Sequence, residues 1–431
     1  MRLLYSWLTR ALVPAAFAVV LGRGLRDRSY WQHLRERFGW GPQAAEPGIW
    51  LHAVSLGEVT AAATLVRALR ARHPGLPFVL STATPTGRAR ARALFGDEID
   101  IRFLPYDTPG SVARFLSRIR PRVAIIMETE LWPNLLHECR LRRIPTVLAS
   151  ARITARSVAR YRRFGSLFAE AVAGVTVIAA QSAADVERFV AVGADPERTH
   201  PVGNVKFDLE IPDSLREQGR ALRTAFGSSR PVWIAGSTHG GEEEQLLDAH
   251  EKLGVDQPDV LLLLVPRHPQ RFDSVAALLT RRAVRFERRS RAAVVRPDAQ
   301  VLLVDSVGEL AALYAAADVA FVGGSLVPIG GHNVLEPAAL GIPVIVGPYN
   351  ANGGNIARLL VECGGAVQVA DAFTLADALR RFFADPSARA QAGAHGRAFV
   401  ELHRGSVGRL LSLIDPLLGR HSAPPPPAGN P

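Results

Sequence analysis

From residue 49 onward, short apolar runs alternate with longer stretches of helix-like apolar spacing, a grammar that limits the chain to a parallel α/β fold. The runs fall at 49–54, 78–81, 101–104, 123–127, 146–150 and 175–180, then at 232–235, 260–265, 301–304, 319–322 and 344–346. Between them, segments such as 61–69 and 112–119 repeat apolar residues at the spacing of one helix face. Near-continuous apolar strands are buried on both faces, the condition of a parallel sheet covered by helices. A chain of 431 residues exceeds one typical core, and its 48% hydrophobic content suffices for two. The two series therefore predict two Rossmann-like domains facing across a cleft, with ligands at the carboxyl ends of the strands. A stretch at 203–216, where glycine, proline and acidic residues gather, reads as the hinge. The expected division is a membrane-associated segment 1–30, a first domain 31–205, a second domain 206–421 and a disordered low-complexity tail 422–431.

The formal charge of +11 points to an anionic partner. Aromatic residues make up only 7%, arginines are spread along the chain, and no RNA or DNA motif accompanies them, so nucleic acid is not the expected partner. An anionic membrane surface or an acidic substrate suits the charge instead. Of the 51 basic residues only Lys206 and Lys252 are lysines, which singles out those two. Cys139 and Cys363 lie far apart, and the twelve histidines are scattered without an H-E-x-x-H spacing. No metal signature follows, and the two cysteines fit a reduced, cytosolic compartment.

Residues 3–22 form an apolar segment interrupted by Arg10 and Pro14. Its uninterrupted run, 11–21, is short for a bilayer span and long enough for an interfacial segment. Arg23, Arg26 and Arg28 follow it, which by the positive-inside rule keeps the bulk of the chain cytoplasmic. No small-residue cleavage site marks it as a removed signal peptide. The alternative is an ordinary buried helix.

The strand-end loops carry the chemistry. In GGSLVPIGGHNVLEPAALGIPVIVGPYNANGGN (323–355) a glycine-rich loop meets a helix start at Asn333. Glycines let backbone approach a ligand closely, free N–H groups at a helix start attract phosphate, and Glu336 is placed to hold a sugar hydroxyl. Asn333 and Glu336 also read as a plain capping pair. HAVSLGE (52–58) sets Glu58 where a carboxylate can take a proton from a hydroxyl, while Ser55 with Glu58 reads equally as a capping box. ETELWPN (128–134) places Glu128 and Glu130 at the mouth of a buried strand, costly without partners or a function; an ion pair with an arginine of ARITARS (151–157) is the structural alternative. STATPTGRARA (81–91) offers a weak anion site. GNVKFD (203–208) holds Lys206, a compact ammonium able to stabilise negative charge or a solvated surface lysine. Further on come GSTHGGEEE (236–244) and VPRHPQR (265–271), whose Arg267, His268 and Arg271 suit a phosphate. DSVGEL (305–310) reads as another capping box, Ser306 with Glu309.

In their order and spacing HAVSLGE, ETELWPN, GNVKFD, GSTHGGEE, VPRHPQR and GGHNVLEPAALGIPVIVGP resemble the Kdo transferases of Gram-negative bacteria, which move 3-deoxy-manno-octulosonic acid (Kdo) from CMP-Kdo to a lipid A precursor. The resemblance runs through the chain to about Leu418. It implies a GT-B fold, the acceptor lipid (lipid IVA) on the first domain and CMP-Kdo mainly on the second. It also implies a membrane-associated N-terminal segment at the cytoplasmic face of the inner membrane. By the same resemblance Glu58 is the general base, and Glu128 and Lys206 stabilise the transition state. The CMP site draws on Pro266 and Arg267, on Val307, Gly308 and Glu309, and on Asn333, Val334, Leu335 and Glu336. CMP-Kdo is a donor substrate, and no cofactor or metal is expected. Inversion in a single displacement follows, with Arg152, Arg156, Arg160, Arg162 and Arg163 as candidates to meet acceptor phosphates. The rival readings are a GT-B enzyme using a UDP-sugar and a non-catalytic membrane-associated binding protein.

Overall fold

The computed structural model describes residues 1–419 apart from 164, 292, 293 and 354; the tail expected from 422 lies outside the described residues. The chain divides into two compact units, one formed by 1–208 together with the residues from 404 onward, the other by 209–403. Lys206 and the segment after 404, both expected in the second domain, therefore belong to the first unit.

The first unit is built on seven parallel strands: β1 Gly48–His52, β2 Phe78–Thr82, β3 Asp100–Phe103, β4 Pro121–Met127, β5 Thr146–Ala151, β6 Val177–Ala180 and β7 Thr199–Pro201. Their order in the sheet is β3-β2-β1-β4-β5-β6-β7. Alternate residues feed opposite cores. Ile49, Leu51, Val123 and Ile125 pack on one face with the helix Leu56–Arg72, whereas Trp50, Ala124, Ile126 and Leu148 pack on the other with Pro109–Ile119 and Pro133–Leu141. The last helix, Ser406–Gly419, completes the first of these cores with Val407, Leu410, Leu411 and Ile414. Asp208 ties its start by accepting the N–H groups of Gly405 and Val407, each at 2.5 Å, and Arg409 Nε donates to the Val202 carbonyl at 2.8 Å. Burial of that apolar face is why the segment leaves the second unit.

The second unit repeats the plan with β8 Val232–Thr238, β9 Leu261–Pro266, β10 Phe286–Arg288, β11 Val301–Leu303, β12 Val319–Val322, β13 Val344–Val346 and β14 Ala366–Gln368. The order is β10-β11-β9-β8-β12-β13-β14, again with parallel pairing throughout. In both sheets the first strand in chain order lies inside the sheet, between its successor and a later strand. Chain progression reverses direction there, and a crevice opens beyond the carboxyl ends of the strands at that point.

The N-terminal segment is one unbroken helix, Arg2–Gly24, running through Arg10 and Pro14. At 1.5 Å per residue it is about 34 Å long, long and apolar enough to cross a membrane. It is not a buried core helix: Leu3, Leu4, Trp7, Leu8, Leu12 and Val19 are each more than half exposed. A few contacts fasten it to the first unit. Tyr5 donates its hydroxyl to Asp107 Oδ2 at 2.9 Å, Ser6 donates to Asn134 Oδ1 at 2.7 Å, and Phe17 packs edge-on against Phe38. Asp107 is itself buried, its carboxyl pushed up to about 6 by that burial, and it accepts the N–H groups of Asn134 and Leu135.

Candidate active site

In the first unit, β1 stands between β2 and β4, so the crevice lies at the ends of β1 and β4. Ser55 caps the helix that follows β1. Its hydroxyl accepts the Glu58 N–H at 3.4 Å, and the Glu58 carboxylate accepts the Val54 N–H at 2.9 Å. Only half of the expected capping box is formed, because the Glu58 carboxylate turns to the Val54 N–H and not to that of Ser55, and the same carboxylate has a second property. Burial pushes its pKa up to about 7; the charges of Glu128 and Glu130 add to this, opposed by the Val54 N–H and by Lys206. A carboxylate poised near neutrality can both take and return a proton at working pH.

Glu128 follows β4 directly, with a φ of 54°, a left-handed conformation that costs a side-chain-bearing residue about 1–2 kcal/mol. That turn is held because the carboxylate is engaged from two sides. Lys206 Nζ donates to Oε1 at 2.8 Å, and Arg152 lies 3.8 Å from Oε2. The arginine pair anticipated for this motif is present but long; the lysine is the closer partner. Lys206 is aimed by its own turn, Val205–Phe207, which Asn204 caps by accepting the Lys206 N–H at 3.0 Å. Asn204 is fixed in turn by donating to Gln181 Oε1. Glu58, Glu128 and Lys206, far apart in sequence, thereby form one electrostatic group. Glu130 sits beside it, its pKa raised by burial.

Next to this group lies a cavity of about 300 Å³, lined among others by Tyr5 of the N-terminal helix, Glu130, Trp132, Arg160, Tyr161 and Phe168. Its lining holds four aromatic rings, one anionic side chain and one cationic side chain. Arg160 belongs to the helix Ala155–Arg163, which has no buried residue. Arg156, Arg162 and Arg163 are exposed on that helix, whereas Arg152 is committed to Glu128.

In the second unit β8 stands between β9 and β12. Glu242, which the sequence reading passed over inside an acidic run, organises the ends of these strands. Its carboxylate accepts backbone N–H groups from His239, Gly324, Ser325 and Leu326 at 2.7–3.0 Å, so it clamps the glycine-rich loop after β12 to the loop after β8. Burial raises its pKa and those four donors oppose the rise. Acidic runs are usually solvated, and only the four converging N–H groups mark this one as different. Pro266 closes β9, and the Arg267 N–H donates to the Thr238 carbonyl at 3.0 Å. Asn333 donates to Glu336 at 3.0 Å and accepts the Leu335 N–H, but the helix begins at Leu335 with Val334 as its uncapped N-cap, so the two side chains pair without forming the expected helix cap. Val334 and Leu335 are buried beneath them.

Two expectations fail in this unit. Ser306 and Glu309 form no capping box, because Glu309 accepts Arg289 Nε at 2.9 Å instead and Ser306 Oγ is buried without a hydrogen bond. Arg271 is spoken for by Glu243, at 2.5 and 3.2 Å, and so is less suited to a phosphate than Arg267. Val307 and Gly308 form an exposed tip, with Gly308 at a φ of 96°. The helices that follow the two loops, Leu310–Ala316 and Leu335–Leu340, pack on one another, which brings 307–309 and 333–336 to the same side of the sheet.

Residues 32–209 match the model of the 3-deoxy-D-manno-octulosonic-acid transferase (kdotransferase) family. Over 97% of its length the chain is 41% identical to the 3-deoxy-D-manno-octulosonic acid transferase of Haemophilus influenzae, covering 99% of that protein. The chain belongs to the Kdo transferase family. A second relative of the same description, from Bordetella pertussis, is 38% identical over 96% of the chain and 99% of its own. Kdo transferases are glycosyltransferases, and this chain is one. Among solved structures, UDP-GlcNAc 2-epimerase of Neisseria meningitidis aligns over 87% of this chain and all of its own with a TM-score of 0.57 at 12% identity, a likeness of GT-B fold alone.

Proposed function

We propose that this Kdo transferase moves Kdo from CMP-Kdo to a lipid A precursor, lipid IVA, at the cytoplasmic face of the inner membrane. The observation that carries the chemistry is the half-buried Glu58, raised to about 7 beside the Glu128–Lys206 ion pair at the switch point of the first sheet. Glu58 takes the proton of the acceptor hydroxyl as its oxygen attacks the anomeric carbon of Kdo. The bond to phosphate breaks with its electron pair going to the phosphate oxygen, and configuration inverts in one displacement. Lys206, with Glu128 holding it in place, offsets negative charge on the reacting sugar. Arg267, Val307 to Glu309 and Asn333 to Glu336 serve the nucleotide.

The acceptor is a lipid, and the cavity beside Glu130 suits it. Tyr5 brings the membrane helix to its wall, its aromatic lining fits an amphipathic sugar, and Arg160 at its edge suits a sugar phosphate. The exposed apolar face of Arg2–Gly24 supports a seat in the bilayer. The deciding experiment is CMP release from CMP-Kdo by detergent-solubilised protein, with and without lipid IVA, for wild type and Glu58→Ala. Acceptor-dependent release that collapses in a well-folded variant supports the assignment, and mass spectrometry of the product counts the sugars added. Failure of folded wild type to release CMP sinks it, and the same assay with UDP-sugars then tests the rival donor.

A further inference from the structure

Three histidines that look unrelated in the sequence meet in the second unit at the carboxyl ends of β8, β9 and β12. His239 follows β8 directly, His268 lies just beyond β9, and His332 stands in the loop after β12. The Nε2 atoms of His239 and His332 face each other at 2.8 Å, with the ring planes 12° apart. His268 stands edge-on to His239, ring centroids 5.3 Å apart at 83°. Gly324, at a φ of 70°, makes room for this arrangement: a Cβ there would come within 3.1 Å of the His332 ring.

One charge beside the cluster, Arg267, is left without an ionic partner among the described residues. Arg267 and Arg271 are the cations that bear on it. The two nearby carboxylates are both engaged elsewhere. Glu242 is filled by four backbone N–H groups, and Glu243 accepts from Arg271 and from the Thr238 hydroxyl at 3.0 Å. Among the described residues the Arg267 guanidinium makes no ion pair and no side-chain hydrogen bond. Burial first, and then the positive neighbours, hold all three imidazoles below their ordinary range, His332 down to about 4. The pair is therefore neutral at pH 7, one Nε2–H donating to the other Nε2, and the donating ring keeps a free Nδ1 lone pair.

We infer that His239, His332 and His268, with Arg267, hold the phosphate of the nucleotide donor, and that the phosphate binds together with a proton taken up by the His239–His332 pair. The inference rests on the reading of this unit as the CMP-Kdo domain. An anion placed here offsets both the burial and the repulsion from Arg267 and Arg271, so the charged form of the pair becomes the favoured one. The inter-ring hydrogen bond survives, because the added proton sits on the free Nδ1. The gain fits the reaction. When the phosphate parts from Kdo it changes from a singly charged diester to a doubly charged monoester, and the extra positive charge already stands beside it.

The test is calorimetric binding of CMP to the full-length, detergent-solubilised protein at pH 7.5, above the second phosphate ionisation near 6. Repeating it in two buffers of different ionisation enthalpy reads the protons exchanged. Wild type is expected to take up a fraction approaching one proton, and its affinity to fall as pH rises from 7 to 8.5. His239→Asn and His332→Asn are expected to lose the uptake and about tenfold in CMP affinity, as for loss of one charge-assisted hydrogen bond. Cytidine, which lacks the phosphate, should show no uptake with any of them. CMP binding without proton uptake in wild type overturns the inference while leaving the donor assignment standing, and this arm decides even where a variant misfolds. Uptake driven by free Kdo and not by CMP overturns it in favour of the sugar carboxylate as occupant. Absence of CMP binding by folded wild type overturns the donor assignment itself, and the inference with it.

Discussion

Glu58 carries two roles in one side chain, tie to the Val54 N–H of the loop and candidate base, and its environment makes the second possible. Activity limited by this base should rise with pH through about 7, and Glu58→Gln should lower kcat about 10²–10⁴-fold. The same shift bears on stability. A carboxyl raised from 4.5 to about 7 on folding favours the protonated native state, so ionisation destabilises the fold progressively as pH climbs between those values. Glu58→Gln stays neutral, so it should melt above wild type at pH 8.5 and show no such gain at pH 4; equal melting temperatures at pH 8.5 would count against a buried carboxylate. Lys206 lowers the Glu58 pKa. Lys206→Met should therefore move the acid limb of the rate profile to higher pH, besides costing about 1–3 kcal/mol of stability through the loss of Glu128's closest partner. An unmoved limb would place Lys206 outside the catalytic group.

Among the elements, the last helix is the one whose placement changes the domain picture. It lies far from the first sheet in sequence, yet Ile414 and Leu410 are fully buried in that sheet's core. Ile414→Ala should destabilise the first unit by about 2–5 kcal/mol and leave CMP affinity unchanged, as measured by limited proteolysis alongside calorimetry. Proteolysis that starts instead within 209–403 would contradict this packing. The interior strands were legible as apolar runs, since a strand covered on both faces has no polar side to show. The edge strands β7, β10 and β14 were not, being three residues each and carrying polar side chains, as in Phe286-Glu-Arg. Capping signals were legible only in part. Ser55 caps the Glu58 N–H as its spacing suggests while the Glu58 carboxylate turns to Val54, and the same spacing at Ser306 and Glu309 is overridden by Arg289, a competitor distant in sequence.

For the whole molecule, the N-terminal helix is the one element among the described residues long and apolar enough to cross a membrane. It is fastened by Tyr5, Ser6 and Phe17 and leaves most of its large apolar side chains exposed. Removing residues 2–24 should give a protein that needs no detergent, keeps CMP affinity and loses most turnover on lipid IVA in vesicles; unchanged turnover would detach the helix from acceptor capture. Each unit places its polar loops where the chain progression of its sheet reverses. Glu58 and Glu128 stand at that point in the first, and His239, Arg267 and His332 at that point in the second. Repetition of one architecture thus gathers carboxylates with a lysine at the strand ends of one sheet, and an arginine with histidines at those of the other.

The order of apolar runs determined two parallel sheets, and the motifs at their ends determined the family, because strand period, burial on both faces and loop chemistry are all local properties of the chain. Which loops meet was decided only in three dimensions. The apolar runs are chemically alike, so nothing in them states that β1 lies between β2 and β4 or β8 between β9 and β12. That order of pairing brings Lys206 to Glu128 across 78 residues and His332 to His239 across 93, and it turns scattered histidines and a stray lysine into two sites. Long-range packing likewise returned the last helix to the first core, since the apolar face of a helix specifies that it be buried and not where.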